Sequence, residues 1–362
     1  MAANIPSRMT GVQLIGHGGF DQLVHRSDIP TPEPAASEVL IRVAAAGVNN
    51  TDINTRIGWY AKTVRGAAAD SVDHIDAAAG SSWSGAAIDF PRIQGLDCCG
   101  NIVAVGDDVD SDRIGERVLV RPMQSLGDPD TPFAFVTFGA EIDGAFAQYA
   151  KVDSEQALTV DSRWSDVELA SLPCAYSTAE GMLTRAEVGA ERVLITGASG
   201  GVGSAAVQLA KRRGAEIMAI AAESKAADVL ELGADRIVCR GQPVRDAFGE
   251  SSVDVVVDLV GGPQWPELCD ILKSGGRYVT SGAIAGPIVE LDLRTLYLKD
   301  LTFFGSTHQS DEILMNVIRY VEREEIRPTV ARTYPLQDIV TAQQDFLEKR
   351  HTGKLVLIPP AD

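Results

Sequence analysis

The sequence predicts an α/β protein in which a β-rich module precedes a doubly wound parallel sheet. Three observations carry this. From Val193 onward, apolar strand-like runs alternate with helical segments. The first of those runs feeds a glycine-rich turn. Before them, roughly the first 150 residues hold short β-rich runs and no long helical period.

In chain order, Val12–Ile15, Val39–Val43, Asn101–Val105, Arg117–Val120 and Phe146–Val152 read as short strands punctuated by Gly, Pro and Asp. Residues 66–87 form an Ala/Ser/Gly/Asp-rich tract with little apolar patterning, read as an exposed insertion or a flap beside the substrate mouth. Val193–Ile195 suits a central parallel strand. In the turn that follows, Ala198, Gly200 and Gly203 stand at the three positions of a G-x-G-x-x-G fingerprint, with Gly201 and Val202 between them. That spacing lets the backbone turn sharply, approach a pyrophosphate closely and aim a helix N-terminus at its charge. The helix runs through Ala205–Arg213 and stops at Gly214, a residue suited to a left-handed cap.

The alternation continues. Ile217–Ala221 is a strand, Lys225–Leu232 a helix closed by Gly233, and Ile237–Cys239 and Val253–Asp258 are strands. Pro266–Leu272 reads as a helix ended at Gly275-Gly276, followed by strands at Arg277–Ser281 and Leu301–Phe304. A doubly wound sheet binds its ligand across the carboxyl ends of its strands. Val260, Ser281, Gly282, Phe304 and Gly305, which lie at or just past strand ends, are therefore candidates for the far end of a dinucleotide. Leu314–Val321 reads as a helix and Lys354–Ile358 as a final strand returning to the first module.

Composition narrows the function. The 362 residues lead to an expectation of two domains, and 45% hydrophobic with 23% charged residues is ordinary globular composition. A net charge of −18 argues against nucleic acid or an anionic membrane as partner. No apolar run approaches a membrane span, and the start has neither a basic nor an apolar leader region, so a cytoplasmic protein is expected. Five cysteines (Cys98, Cys99, Cys174, Cys239 and Cys269) are odd in number and lack a secreted spacing, which favours a reducing compartment.

Five ordered stretches resemble the medium-chain dehydrogenase/reductase superfamily. They are Ala46-Gly-Val-Asn-Asn-Thr-Asp52, Pro91-Arg-Ile-Gln-Gly-Leu-Asp97, Gly115-Glu-Arg-Val118, Leu172-Pro-Cys-Ala-Tyr-Ser-Thr-Ala179 and the Ala198–Gly203 turn. The Gly-Val-Asn-x-x-Asp pattern is most similar to the quinone oxidoreductase branch. The resemblance implies a GroES-like catalytic domain over residues 1–157, a Rossmann cofactor-binding domain over 158–308 and a return to the catalytic domain over 309–362. It also implies a homodimer or homotetramer, and Tyr297–Gly305 resembles the edge through which relatives pair their sheets.

Zinc members of that superfamily carry ligands where this chain has Asn49, Leu96-Asp97 and Cys174. Leucine cannot coordinate, asparagine is a poor zinc ligand, and two remaining ligands do not hold zinc well. Residues 100–173 contain no cysteine, so the four-cysteine structural lobe is missing, and His17, His25, His74, His308 and His351 are scattered without ligand spacing. The expectation is a metal-free enzyme. Adjacent Cys98-Cys99 read as small buried residues of a strand.

Without a Lewis acid, a quinone or α,β-unsaturated carbonyl compound is the substrate class expected to accept hydride, because it spreads the charge to its own oxygen. Asn49 and Tyr60 are then candidate hydrogen-bond donors, and Tyr60 a candidate proton source. Asn49 reads equally as a turn residue, and Tyr60 as part of an amphipathic rim. Thr178 resembles the family threonine near the nicotinamide, and Asp52 fixes the loop or joins the chemistry. Beyond the second strand, small Ala221-Ala222 followed by Ser224 and Lys225 would admit a 2′-phosphate, favouring NADPH over NADH. Glu223 is the discordant residue, and Lys225 reads equally as a solvated first-turn residue. Lys354 resembles the family's terminal Gly-Lys and would reach the coenzyme. Two other readings are a zinc-type alcohol dehydrogenase with atypical ligands and a non-catalytic, crystallin-like NADPH-binding protein.

Overall fold

The computed structural model describes residues 5–68 and 82–361. Most of the 66–87 tract, and His74 with it, lies outside the described residues. In the first half, β1 (Arg8–Leu14), β2 (Leu23–Pro30) and β3 (Glu38–Gly47) precede a short helix α1 (Asn50–Arg56). There follow β4 (Arg92–Ile93), β5 (Cys99–Val105), β6 (Arg117–Val120), β7 (Met123–Ser125), β8 (Phe135–Thr137), β9 (Tyr149–Asp153) and β10 (Ala157–Thr159). Helices α2 (Asp166–Leu169) and α3 (Pro173–Arg185) lead into the second half.

There, β11 (Arg192–Ile195), α4 (Gly201–Arg212), β12 (Glu216–Ala221), α5 (Ala226–Glu231), β13 (Arg236–Cys239) and α6 (Val244–Phe248) alternate. The run continues with β14 (Val253–Asp258), α7 (Trp265–Asp270), β15 (Leu272–Thr280), α8 (Leu293–Leu298) and β16 (Thr302–Gly305). The chain closes with α9 (Glu312–Glu322), β17 (Val330–Pro335), α10 (Ile339–Glu348) and β18 (Lys354–Ile358).

Strands β11–β16 form one parallel sheet in the order β13-β12-β11-β14-β15-β16. The order reverses between β11 and β14, and ligands of doubly wound sheets bind outside the carboxyl ends at such a reversal. Val193–Ile195 and Val255–Val257, at the centre of the sheet, are fully buried. This is why both stretches read as unbroken apolar runs. One reading needs correction: Leu272 opens β15 rather than closing α7, and Gly275-Gly276 interrupts the strand's pairing instead of preceding it.

The β-rich half is mostly one sheet ordered β10-β6-β5-β3-β18-β17, with β9 also paired to β3. β18 inserts beside β3, with Val356 opposite Gly47 and Leu357 opposite Ala46. Immediately before it, Gly353 bridges to Gly200 in the glycine turn. The C-terminal segment therefore touches both sheets. Helix α3 packs on α4 between the two halves, and its Tyr176 is fully buried, donating its hydroxyl to the Arg327 carbonyl at 2.6 Å. No helix among the described residues is long and apolar enough to cross a membrane.

Candidate active site

The glycine turn is built for close approach. A Cβ on Gly203 would stand 2.2 Å from the Gly197 carbonyl oxygen, so only glycine lets α4 pack onto the end of β11. Gly197 itself has φ +59°, a conformation that favours glycine. Gly200 caps α4 with no side-chain hydrogen bond, which leaves the first-turn N–H groups around Gly201 and Val202 for an external anion. Ala198 is buried under the turn. These features fit a dinucleotide pyrophosphate.

Past β12, Glu223 and Ser224 are exposed while Lys225 is folded in, 6% exposed. At the other end of the sheet, Val260, Ser281, Gly282 and Phe304 are half-buried and Gly305 is exposed, all at or after strand ends. Asp258, the last residue of β14, holds this region together, a role not evident in the sequence. Its carboxylate accepts from Thr196 Oγ1 at 2.6 Å, Val260 N at 2.9 Å, Gly261 N at 3.1 Å and the Tyr278 hydroxyl. Asp258 thus ties the strand that leads into the glycine turn to the loop at the opposite end of the coenzyme cleft.

Across the cleft, a buried polar cluster gathers residues distant in sequence. Lys354, 2% exposed, puts its ammonium 2.8 Å from Asp97 Oδ2 and donates to Asn49 Oδ1. Asn49 Nδ2 donates to the same Asp97 oxygen at 2.9 Å, and Cys174 N donates to Asp97 Oδ1 at 2.6 Å. Asn49 N donates to Asp52 Oδ2 at 2.8 Å, which fixes the start of α1. An ammonium can only donate and a carboxylate only accept, so the partners fix the orientation of the Asn49 amide. Its donors face Asp97 and the Gly47 carbonyl. Both ends of the Asn49 carboxamide are thus engaged by protein groups.

Electrostatics divides this cluster. Burial, reinforced by Asp97, pushes the Asp52 carboxyl up to about 7, although Asn49 N and Lys354 pull the other way. Burial also raises the Cys174 thiol far above its ordinary value, with Asp97 adding to the effect. Tyr60 donates to Thr51 Oγ1 at 3.2 Å, and burial raises its phenol to about 12, so it stays protonated at neutral pH. Thr178 lies one helical turn beyond Cys174 on α3 and is 8% exposed.

These residues do not fit a metal. Both Asp97 oxygens and the Asn49 oxygen already accept hydrogen bonds, Leu96 has no donor atom, and a fixed ammonium would repel a divalent ion. Among the described residues no three His, Cys, Asp or Glu side chains gather as a ligand set. Cys98 and Cys99 are wholly buried.

A glycine turn on a parallel sheet, facing a buried polar cluster on a β-rich module, defines a dinucleotide-dependent enzyme. Residues 35–162 match the alcohol dehydrogenase GroES-like domain, and residues 232–357 match the zinc-binding dehydrogenase model. Residues 193–268 match the NAD dependent epimerase/dehydratase family. A structure from Sinorhizobium meliloti 1021, provisionally assigned as an alcohol dehydrogenase, superposes with a TM-score of 0.89 at 45% identity, covering 99% of this chain and 98% of that one. The acryloyl-coenzyme A reductase of Metallosphaera sedula is 28% identical across 94% of this chain and 97% of its own length. The quinone oxidoreductase of Sus scrofa is 27% identical across 97% and 98%. The chain belongs to the medium-chain dehydrogenase/reductase superfamily and is an oxidoreductase.

Two outcomes follow from the cluster. Lys354→Met leaves Asp97 buried without its cation and should cost about 3–5 kcal/mol in denaturant unfolding. Adding Asp97→Asn to that variant should return part of the loss. Asp52 binds its proton more tightly folded than unfolded, so its contribution to stability declines as pH rises from about 4 to 7. Asp52→Asn lacks this decline, so its stability relative to wild type should improve by a few kcal/mol between those pH values, on the order of 3. Urea unfolding at both pH values checks this.

Proposed function

We propose that the protein is a cytoplasmic, metal-independent reductase that uses NADPH to reduce quinones or α,β-unsaturated carbonyl compounds. The observation that carries this reading is the Lys354 ammonium buried between Asn49 and Asp97, where zinc members of the superfamily hold their ion. That arrangement supplies fixed positive charge with no open coordination position. A conjugated acceptor needs no more, because it delocalises the incoming charge to its own oxygen. The named relatives that reduce acryloyl-coenzyme A and quinones support this substrate class.

In this reading the Ala198–Gly203 turn holds the pyrophosphate, and Ser224 and Lys225 face the adenosine ribose. Val260, Ser281, Gly282, Phe304 and Gly305 flank the nicotinamide, and Lys354 lies along the turn at Gly201. A Cβ on Gly201 would come 2.7 Å from Lys354 Cδ. The coenzyme, when bound, supplies the hydride. Tyr60, kept protonated by burial, donates a hydrogen bond to the oxygen on which charge develops and then a proton. Thr178 borders the same space. Asn49 and Asp97 position Lys354, whose field favours the enolate. Asp52 locks the α1 loop that leads on to Tyr60.

The expected result with purified enzyme is NADPH oxidation by small quinones or enones, with a rate unchanged after chelator treatment. Stoichiometric zinc in active protein, or turnover only with simple alcohols, would overturn the reading. Tyr60→Phe should lower kcat about 10-fold to 100-fold while leaving coenzyme affinity nearly intact.

We further propose a homodimer paired through β16. That strand is one of the two edges of the parallel sheet, and Leu293, Tyr297 and Leu298 beside it are 64%, 61% and 69% exposed. Light scattering should give twice the chain mass, and charged substitutions at Tyr297 and Leu298 together should give monomers.

A further inference from the structure

The loop that carries Tyr60 turns back on the helix before it. Gly58 has φ +69° and its N–H donates to the Thr55 carbonyl at 3.2 Å, while Trp59 N donates to the Asn54 carbonyl at 2.8 Å. Such paired bonds close a helix at a left-handed glycine. The reversal brings Tyr60 against α1, where Thr51 and Asn54, three residues apart, share one face. Trp59 Nε1 donates to the Gly66 carbonyl at 3.2 Å, and its ring meets Tyr60 edge to face with centroids 5.6 Å apart.

Two side chains of α1 meet the phenol oxygen. Tyr60 donates to Thr51 Oγ1 at 3.2 Å. Asn54 faces the same oxygen, and burial, which raises the phenol to about 12, is opposed by both residues. Asn54 is 4% exposed, and among the described residues its Oδ1 has no hydrogen-bond partner. Buried carboxamides are normally paired, so an idle acceptor calls for a reason. This one can turn its oxygen to a phenol or its N–H to a phenolate. Thr51 has the same freedom, because a hydroxyl either accepts from Tyr60 or donates to it. The titratable neighbours, Cys174 of α3 and Asp52 of α1, act in the opposite sense and disfavour a phenolate.

Accepting Tyr60 as the proton source of the proposed reduction, we propose that Thr51 and Asn54 are positioning residues that hold its oxygen in both charge states, with Thr51 returning the proton. Once hydride has reached the β-carbon of an enone, the enolate oxygen takes the proton from the Tyr60 O–H bond. The bonding pair stays behind as a phenolate. Buried without partners, that anion would be costly. Here the Thr51 hydroxyl and the Asn54 amide turn to donate to it, and hydrogen bonds to a charged oxygen are roughly twice as strong as neutral ones. Thr51 is only half-buried, within reach of water. Its O–H proton passes to the phenolate while a solvent proton replaces it, so each turnover draws one proton from solvent and restores Tyr60. A quinone depends less on this device, because a hydroquinone anion is a weaker base than an enolate.

Steady-state kinetics of the full chain with NADPH, on a cyclic enone and on a benzoquinone, in light and heavy water, test this. Thr51→Val should lower kcat on the enone about tenfold and raise its solvent isotope effect, with NADPH affinity kept within about twofold. On the quinone the loss should stay below about threefold. Thr51→Ser should recover most of the enone rate, and Asn54→Ala should lower that rate about threefold to tenfold. In the Tyr60→Phe background, Thr51→Val should lower kcat by less than about twofold, because the two side chains act as one unit. Equal losses on both substrates, a serine variant as slow as the valine one, or full additivity with Tyr60→Phe overturn this role for Thr51 and Asn54 while Tyr60 keeps its own. An unchanged enone rate in Tyr60→Phe overturns the proton source and its two supports together.

Discussion

The ammonium of Lys354 is the constraint on which the rest of the site depends. Among the described residues it is the only cation bonded directly to the buried Asn49–Asp97 pair, and it arrives from a residue 305 positions away from Asn49. Burying Asp97 without it would leave a desolvated charge, and burying it without Asp97 would do the same in reverse. The pair is tolerable because each Asp97 oxygen also accepts from a neutral donor, Asn49 Nδ2 on one side and Cys174 N on the other. One side chain thereby joins the ends of β3, the residues before β5, the start of α3 and the glycine turn.

That arrangement leaves two carboxyl groups and one ammonium in a buried space. Asp97 takes the direct contact, so Asp52 bears the cost of burial and its carboxyl is pushed up to about 7. The same logic of partners already engaged governs the sheet half. Asp258 has no salt-bridge partner among the described residues, yet four donors from three segments surround it, and the loops at the two ends of the cleft inherit their relative placement from that one carboxylate. Chemistry in this molecule rests on buried acids whose surroundings are settled before any ligand arrives.

Much of this was legible in the sequence where local rules suffice. Val253–Asp258 and Lys354–Ile358 were read to the residue, because buried strands in a mixed sheet are short apolar runs bounded by turn residues. Helix α3 was not read as a helix. It is buried on nearly every side, so its Ser, Thr, Gly and Ala residues carry no amphipathic period. β17 and α10 were missed for a related reason, since their polar residues dilute the pattern. In the site, Asn49, Asp52 and Thr178 came from the family resemblance and Tyr60 from the chemistry a donor would supply, but their hydrogen-bond partners could not. The engagement of the Asn49 amide depends on Lys354 folding back from the far end of the chain.

The position of β18 has a consequence for how the molecule assembles. β3 is laid down early and pairs with β5 and β9, yet its last residues, Ala46 and Gly47, wait for residues 354–358 to pair beside them, after the entire parallel sheet has been made. The β-rich half is therefore a high-contact-order structure that encloses a lower-contact-order one, and its core cannot close during synthesis of the middle of the chain. An unpaired strand edge exposed for that long is a template for association with other chains. The burden of early folding rests on the parallel sheet, whose neighbours in space are mostly neighbours in sequence.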